Sequence, residues 1–375
     1  MEPGKRHTAL VISPLNALMD NQVSTWRQHN IKCIALHSNL EAGIAEIKAN
    51  HYSIVFTSPE LVLSAKFRSQ FDPQFRKTLC LVALDEAHCI TQWGLKSFRP
   101  DYSNMAELLA VVPHAPALVM TATTSEQMKR ETLALLQTED CEVIALNPDR
   151  PEIFLDVQKP GPNCLDWLIE ELRHQKDMTD KTIIYCRSTK QVTNVFEMIL
   201  GKLTAAIYMP PGTNRADNLL VDMYSASVDE STKTRILKLF SGNNKLRVVV
   251  ATVAFGMGID IPDIRNVLLW GVPAGHCEYW QQVGRACRDH LPGKSVLYTY
   301  PVPSKLPVSS ELKSQLSACS TSCYRSSLLQ KLWLSEMGAF PTKGELCNAK
   351  CLKCYCQYCT CCSVCKQACP CSNCE

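Results

Sequence analysis

Eight short apolar runs, each closed by a polar or small residue, limit what this chain can fold into. They occupy residues 9–12, 54–56, 79–84, 117–120, 183–186, 248–251, 267–270 and 296–298. Such runs, rich in β-branched residues, suit strands buried on both faces, as in parallel sheets. Between them the apolar period becomes helical. Leu15, Leu18, Met19, Val23 and Trp26 share one helical face, as do Leu165, Leu168, Ile169 and Leu172, and Ile236, Leu237 and Phe240. Strand–helix alternation over most of 375 residues predicts an α/β architecture of parallel sheets, divided among two or three domains. One boundary is expected at Asn147-Pro148-Asp149-Arg150-Pro151, and a second at residues 301–307, where three prolines fall in seven residues.

Several classes are excluded early. No run of 18 apolar residues occurs, so no membrane-spanning helix is expected. Lys5 and Arg6 before the apolar residues 8–13 outline a short signal peptide. Pro14 breaks that run, and Asp20 and Asn21 follow, so a buried strand leading into a helix is the better reading. An intracellular, reducing compartment is the working expectation. The net charge of +3 makes no case for nucleic acid by itself. Cysteine is the compositional anomaly: of 21, 11 fall between Cys347 and Cys374. The chain is therefore a globular body with a cysteine-dense tail rather than a disulfide-built scaffold.

Four segments carry candidate chemistry. The run at 79–84 ends in Asp85-Glu86-Ala87-His88. At the carboxyl end of a strand, an Asp can hold a nucleotide-bound Mg²⁺ and the adjacent Glu can deprotonate a water. The bland alternative is an acidic strand-to-loop turn. Thr121-Ala122-Thr123 offers hydroxyls to that acidic pair, or simply leads into a helix cap near Ser125. In Ala251-Thr252-Val253-Ala254-Phe255-Gly256-Met257-Gly258-Ile259-Asp260, two glycines permit close backbone approach to a ligand. In Tyr279-Trp280-Gln281-Gln282-Val283-Gly284-Arg285-Ala286-Cys287-Arg288-Asp289, two arginines three apart would share a helix face, for phosphate or only for solvent.

Together these segments resemble the RecQ family of superfamily 2 DNA helicases. Asp85 through Gly94, then Phe98-Arg99-Pro100-Asp101-Tyr102, is similar to the family's DEAH box and aromatic-rich loop. Ser13-Pro14-Leu15 with Ala17-Leu18-Met19 and Gln22-Val23 resembles motif Ia, and Ser58-Pro59-Glu60 motif Ib. Thr121-Ala122-Thr123 resembles motif III and Tyr185-Cys186-Arg187-Ser188 motif IV. Ala251 through Asp260 resembles motif V, and Gln281 through Asp289 motif VI. The matches keep the family's order.

The resemblance implies two RecA-like parallel-sheet domains, the first incomplete, at 1–147 and 148–302, and a small Cys-rich zinc-binding module at 303–375. It implies an ATP-dependent 3′–5′ DNA helicase of repair, recombination and replication, using ATP, Mg²⁺ and Zn²⁺. Its partner would be single-stranded, forked or junction DNA, and its place the nucleus or chromosome in a eukaryote. Asp85 would hold Mg²⁺, Glu86 would be the catalytic base, and Arg285 with Arg288 would act as arginine fingers. Thr121, Thr123, Gly256, Gly258, Asp260 and Gln281 would serve the nucleotide. Ser13, His88, Gln92, Trp93, Phe98, Arg99 and Arg187 would couple DNA to hydrolysis.

The sequence departs from the family in places. No Gly-Lys-Ser/Thr segment precedes Ser13; after Gly4-Lys5 stands Arg6, and three residues leave no room for the helix a P-loop opens. Loss of the P-loop strand would leave neighbouring strands unpaired, so an N-terminally truncated sequence is expected rather than a degenerate paralogue. Cys287 and His290 stand where the family has glycine. In the tail, Cys323-Tyr324-Arg325 before an apolar helix resembles the start of the zinc module, which nominates Cys347, Cys351 and Cys354 as the other ligands. Cys356 to Cys374 contain further Cys-x2-Cys pairs, including Cys362 and Cys365. These pairs suggest more metal, a metal-buffering cluster or a low-complexity extension. A DNA-binding protein without catalysis is the alternative function.

Overall fold

The computed structural model describes residues 7–37, 40–49, 51–70, 73–94, 99–256, 260–301, 306–318, 322–341 and 361–367. They form two compact units. The first lies within Met1–Leu146 and includes Leu334–Glu336; the second lies within Asn147–Trp333 and Met337–Glu375.

The first unit is built on five parallel strands: β1 (Thr8–Ile12), β2 (Cys33–Ala35), β3 (Ile54–Thr57), β4 (Leu79–Leu84) and β5 (Ala117–Val119), in the order β2-β3-β1-β4-β5. Leu10, Val55, Phe56, Val82 and Leu84 are buried, as the continuous apolar runs require. The helix Asn16–Gln28 buries Met19 and Val23 against Cys33 and Phe56, but Trp26 is 39 % exposed, so the expected apolar face ends one turn early.

Register positions the site. Ile12 lies opposite both Thr57 and Leu84, and Leu84 opposite Val119. Four strands therefore end in one row, and the ladder runs on into the loops. Ser13 N donates to Thr57 O, Asp85 N to Ile12 O, and Ala87 N to Met120 O, at 2.9, 2.9 and 2.8 Å. Residues distant in sequence thus gather at the carboxyl edge, where parallel sheets present their ligand-binding loops.

The second unit has six parallel strands: β6 (Ile153–Gln158), β7 (Lys181–Cys186), β8 (Val221–Tyr224), β9 (Val248–Ala251), β10 (Ile264–Trp270) and β11 (Gly293–Tyr298). Their order is β6-β11-β10-β7-β9-β8. The helix Thr189–Leu203 starts where Ser188 Oγ accepts from Gln191 N, and buries Val192, Val195, Ile199 and Leu203 along one stripe. At about 1.5–3 kcal/mol for each fully buried aliphatic side chain, that stripe outweighs any cap. The helix Tyr324–Leu332 also belongs to this unit and buries Leu328, Leu329 and Leu332.

Candidate functional site

In the first unit the acidic turn is held by its own backbone. Asp85 Oδ1 accepts from Glu86 N at 2.9 Å, and Asp85 Oδ2 accepts from Gln22 Nε2 at 3.0 Å. Burial pushes the Asp85 carboxyl above its ordinary value, opposed by the Gln22 hydrogen bond and reinforced by the Glu86 charge. A divalent cation would reverse that balance. Glu86 has φ 50°, left-handed for a residue with a β-carbon. Such strain persists only where the surroundings impose it, and here the bonds of Glu86 N and Ala87 N do so.

His88 is buried, and its Nδ1 lies 3.2 Å from Glu86 Oε2 and 3.2 Å from Thr121 Oγ1. The Thr121 hydroxyl already donates to Thr123 O at 3.0 Å, so toward His88 it accepts. The Nδ1 hydrogen is therefore shared between Glu86 and Thr121, which ties the acidic turn to the end of β5. The cap of the next helix, Glu126–Leu136, is Ser125, whose Oγ accepts from Met128 N at 3.2 Å. The threonines are thus left to the site.

Arg99 joins two further segments. Its guanidinium grips both carboxylate oxygens of Glu60, with Nη2 to Oε2 at 2.6 Å, donates to Pro14 O, and lies 5.4 Å from the Tyr102 ring centre. Burial alone would raise the Glu60 carboxyl, but the Arg99 hydrogen bond holds it below its ordinary value. Ser13 is fully buried, and the Oγ atoms of Ser13 and Thr123 have no hydrogen-bond partner among the described residues. Orphaned polar atoms at a loop edge await a ligand or water. Gln92 is half-buried in the π-helical turn Ile90–Gly94, which also carries the backbone of Trp93; Phe98 lies outside the described residues.

In the second unit, Tyr185 is the penultimate residue of β7, Gly256 lies in the segment after β9, and Gln281, Arg285 and Arg288 lie in and just after the helix His276–Val283. A Cβ on Gly256 would lie 2.9 Å from Tyr185 Oη and 3.5 Å from Arg285 Nε, so no larger residue fits without displacing them. The helix ends at Val283, so Arg285 and Arg288 do not share a helix face as their spacing suggested. They sit in a compact turn in which Cys287 and His290 take φ 56° and 62°. These are the two positions where the family has glycine, and left-handed backbone is the reason for glycine there. Arg288 pairs with Asp260 at 2.7 Å, and Gln281 Nε2 is buried with no partner among the described residues. Arg187 is taken up by Glu278 and by Pro307 O at 2.9 Å. Gly258 lies outside the described residues.

Cys323 is buried with Cys361, Cys362 and Cys365, the four sulfurs within 4.8 Å of one another and Cys323 Sγ 3.7 Å from Cys361 Sγ. Tetrahedral Zn²⁺ with Zn–S of about 2.3 Å sets its sulfurs about 3.8 Å apart, so the donor set and spacing fit that ion. A hydrogen bond from Cys361 holds the Cys323 thiol below its ordinary value, whereas burial pushes a core thiol such as Cys277 up to about 12. Cys347, Cys351 and Cys354, nominated from the sequence, lie outside the described residues. The partners found at 361, 362 and 365 were signalled only by the Cys362-x2-Cys365 pair.

The chain matches the family models "DEAD/DEAH box helicase" over residues 2–131 and "Helicase conserved C-terminal domain" over residues 163–290. It is 32 % identical over 310 residues to ATP-dependent DNA helicase Q-like 2 of Arabidopsis thaliana, covering 78 % of this chain and 41 % of that protein. It is 32 % identical over 298 residues to ATP-dependent DNA helicase RecQ of Pasteurella multocida, covering 78 % and 43 %. The chain thus spans less than half the length of these relatives. Its fold is shared with the helicase Lhr of Mycobacterium smegmatis, solved with single-stranded DNA and AMP-PNP, at TM-score 0.59 and 21 % identity, over 79 % of this chain and 40 % of that one. Two parallel α/β sheets of RecA-like type, the motif row at the edge of the first, and these relatives lead to one assignment: the chain belongs to the RecQ family of superfamily 2 helicases.

Proposed function

We propose that this chain is the motor portion of an ATP-dependent DNA helicase that moves 3′ to 5′ on single-stranded DNA and opens forked or branched duplexes in repair, recombination and replication. The observation that carries this reading is the row of Ser13, Glu60, Asp85, Glu86 and Thr121 at one sheet edge, cross-linked by His88 and Arg99.

ATP with Mg²⁺ supplies the phosphoryl group and the charge that activates it. Asp85 would hold the ion through water. Glu86 takes the proton of the attacking water, positioned by the shared His88 hydrogen. Arg285 and Arg288 stabilise charge on the transferring group, with Asp260 releasing Arg288 to it. Thr121 meets Glu86 through His88, and the acidic turn is bonded to the end of β1 beside Ser13. The loops bearing Ser13 and Arg99 would hold the DNA backbone by phosphate contact and stacking rather than base readout. Gly293-Lys294-Ser295 lies in β11 rather than in a loop that opens a helix, so none of these residues is assigned as a β-phosphate cradle. Cys323, Cys361, Cys362 and Cys365 would hold one structural Zn²⁺.

Strand displacement on duplexes with a single 3′ or 5′ tail tests this. Opening of the 3′-tailed substrate, lost in Asp85→Ala, is the expected result. Opening of only the 5′-tailed substrate contradicts the polarity. A result in which neither substrate opens but single-stranded DNA is still held would instead support the second reading, DNA binding without catalysis.

A further inference from the structure

The turn that carries Arg285 and Arg288 follows the helix His276–Val283, and its own carbonyls need donors. Arg150, from the segment before β6, provides them. Its Nη1 donates to Gly284 O at 3.3 Å, and its Nη2 to Ala286 O and Cys287 O, each at 2.9 Å. Its Nε bonds Glu152 Oε1 at 2.6 Å, which fixes the plane of the fork. One side chain thus satisfies three consecutive-turn carbonyls, and the positive charge suits the end of a helix dipole.

Arg150 is itself held. Arg325, 4 % exposed, donates to Arg150 O at 2.8 Å and to Asp149 Oδ1 at 2.7 Å. Asp149 Oδ1 in turn accepts from Arg150 N at 2.8 Å. The other arm of Arg325 reaches Ile153 O and, at 3.2 Å, Cys361 O. Arg325 lies two residues after Cys323, and Cys361 lies beside it in the four-cysteine cluster. The cluster is also pinned to β6 by a bridge between Leu155 and Cys362. An unbroken path of hydrogen bonds therefore runs from the cysteine cluster through Arg325 and Arg150 to the arginine-bearing turn, wholly within the second unit.

We propose that Arg150 and Arg325 form a two-arginine splint, and that Arg150 is a positioning residue for Arg285 and Arg288. A filled cysteine site would fix Cys361 and Cys323, hence Arg325, hence the backbone at 149–153 from which Arg150 reaches the turn. The module that looks like a peripheral staple then bears on the geometry of the phosphate-side arginines. The function of those arginines rests on the reading above, but the splint does not need nucleotide to be seen, so the two fail separately.

Amide hydrogen exchange on the intact chain, without nucleotide, is the test. In Arg150→Lys, which keeps the charge and loses the fork, amides of residues 284–290 are expected to exchange about tenfold faster, while those of β7 and β10 keep their wild-type rates. Arg325→Lys and removal of zinc by chelation are each expected to give the same local pattern. Unchanged exchange at 284–290 in Arg150→Lys overturns the splint, because a lysine that suffices shows that charge, not the fork, holds the turn. Faster exchange that spreads equally over β7 and β10 also overturns it, since that is loss of fold rather than loss of positioning.

Discussion

Glu86 and His290 both sit at positive φ, but only one has reason to. Glu86 is held there by the Asp85 and Met120 bonds around it, and its carboxylate meets His88. The His290 side chain is 84 % exposed and stands where the family has glycine. His290→Gly is therefore expected to stabilise the chain by about 1 kcal/mol, a rise of about 3 °C in Tm. Differential scanning calorimetry checks it, and a fall in Tm would show that the ring makes a contact worth more than the strain. Asp85 runs the other way. Its carboxyl is raised by burial, so the folded chain holds that proton more tightly than the unfolded chain does. The resulting stability is present below the unfolded pKa and lost as pH rises through the folded one. Asp85→Asn should then melt higher than wild type at pH 7, with the difference shrinking as pH falls into the carboxylate range, while hydrolysis is lost.

At the scale of elements, β5 is the exposed end of its sheet. Among the described residues it pairs with β4 alone, Leu118 is 44 % and Met120 38 % exposed, and Ile144 and Leu146, in the extended segment that closes the first unit, are 84 % and 80 % exposed. An open apolar edge invites pairing with another chain. Leu118→Lys is expected to reduce self-association in static light scattering without changing Tm, and unchanged association would place the contact elsewhere. The same contrast between centre and edge decides what was legible in the sequence. β1, β3, β4, β7, β9, β10 and β11 follow the apolar runs, because all seven are flanked on both sides; β5 is an edge strand that follows one as well. The strands β2, β6 and β8 were not foreseen. They are the other edge strands; β6 and β8 carry an acidic residue, Asp156 or Asp222, that breaks the apolar pattern, and β2 is very short. The acidic turn and Thr121 were readable because strand ends announce them, whereas Arg99 was reached only through the family resemblance of its loop. The cysteine partners were not, since spacing says which thiols are near in sequence and Cys323 finds its partners 38 and more residues away.

At the scale of the molecule, two sheets carry different duties. The first gathers the acidic turn and the loops of Ser13 and Arg99; the second carries the arginines and is closed at its β6 edge by the cysteine cluster. A four-thiolate site predicts one Zn²⁺ per chain by elemental analysis, and chelation that lowers the melting of the second unit while leaving the first unmoved. Several ions per chain would favour the metal-buffering tail. The central claim is that the acidic turn hydrolyses ATP under the control of DNA. It is tested most directly by the steady-state ATP hydrolysis of the chain with and without single-stranded DNA, in wild type and in Glu86→Gln. The account predicts hydrolysis that rises with single-stranded DNA and falls at least about 100-fold in Glu86→Gln, while DNA binding is retained. Hydrolysis that ignores DNA, or that survives in Glu86→Gln, would contradict it.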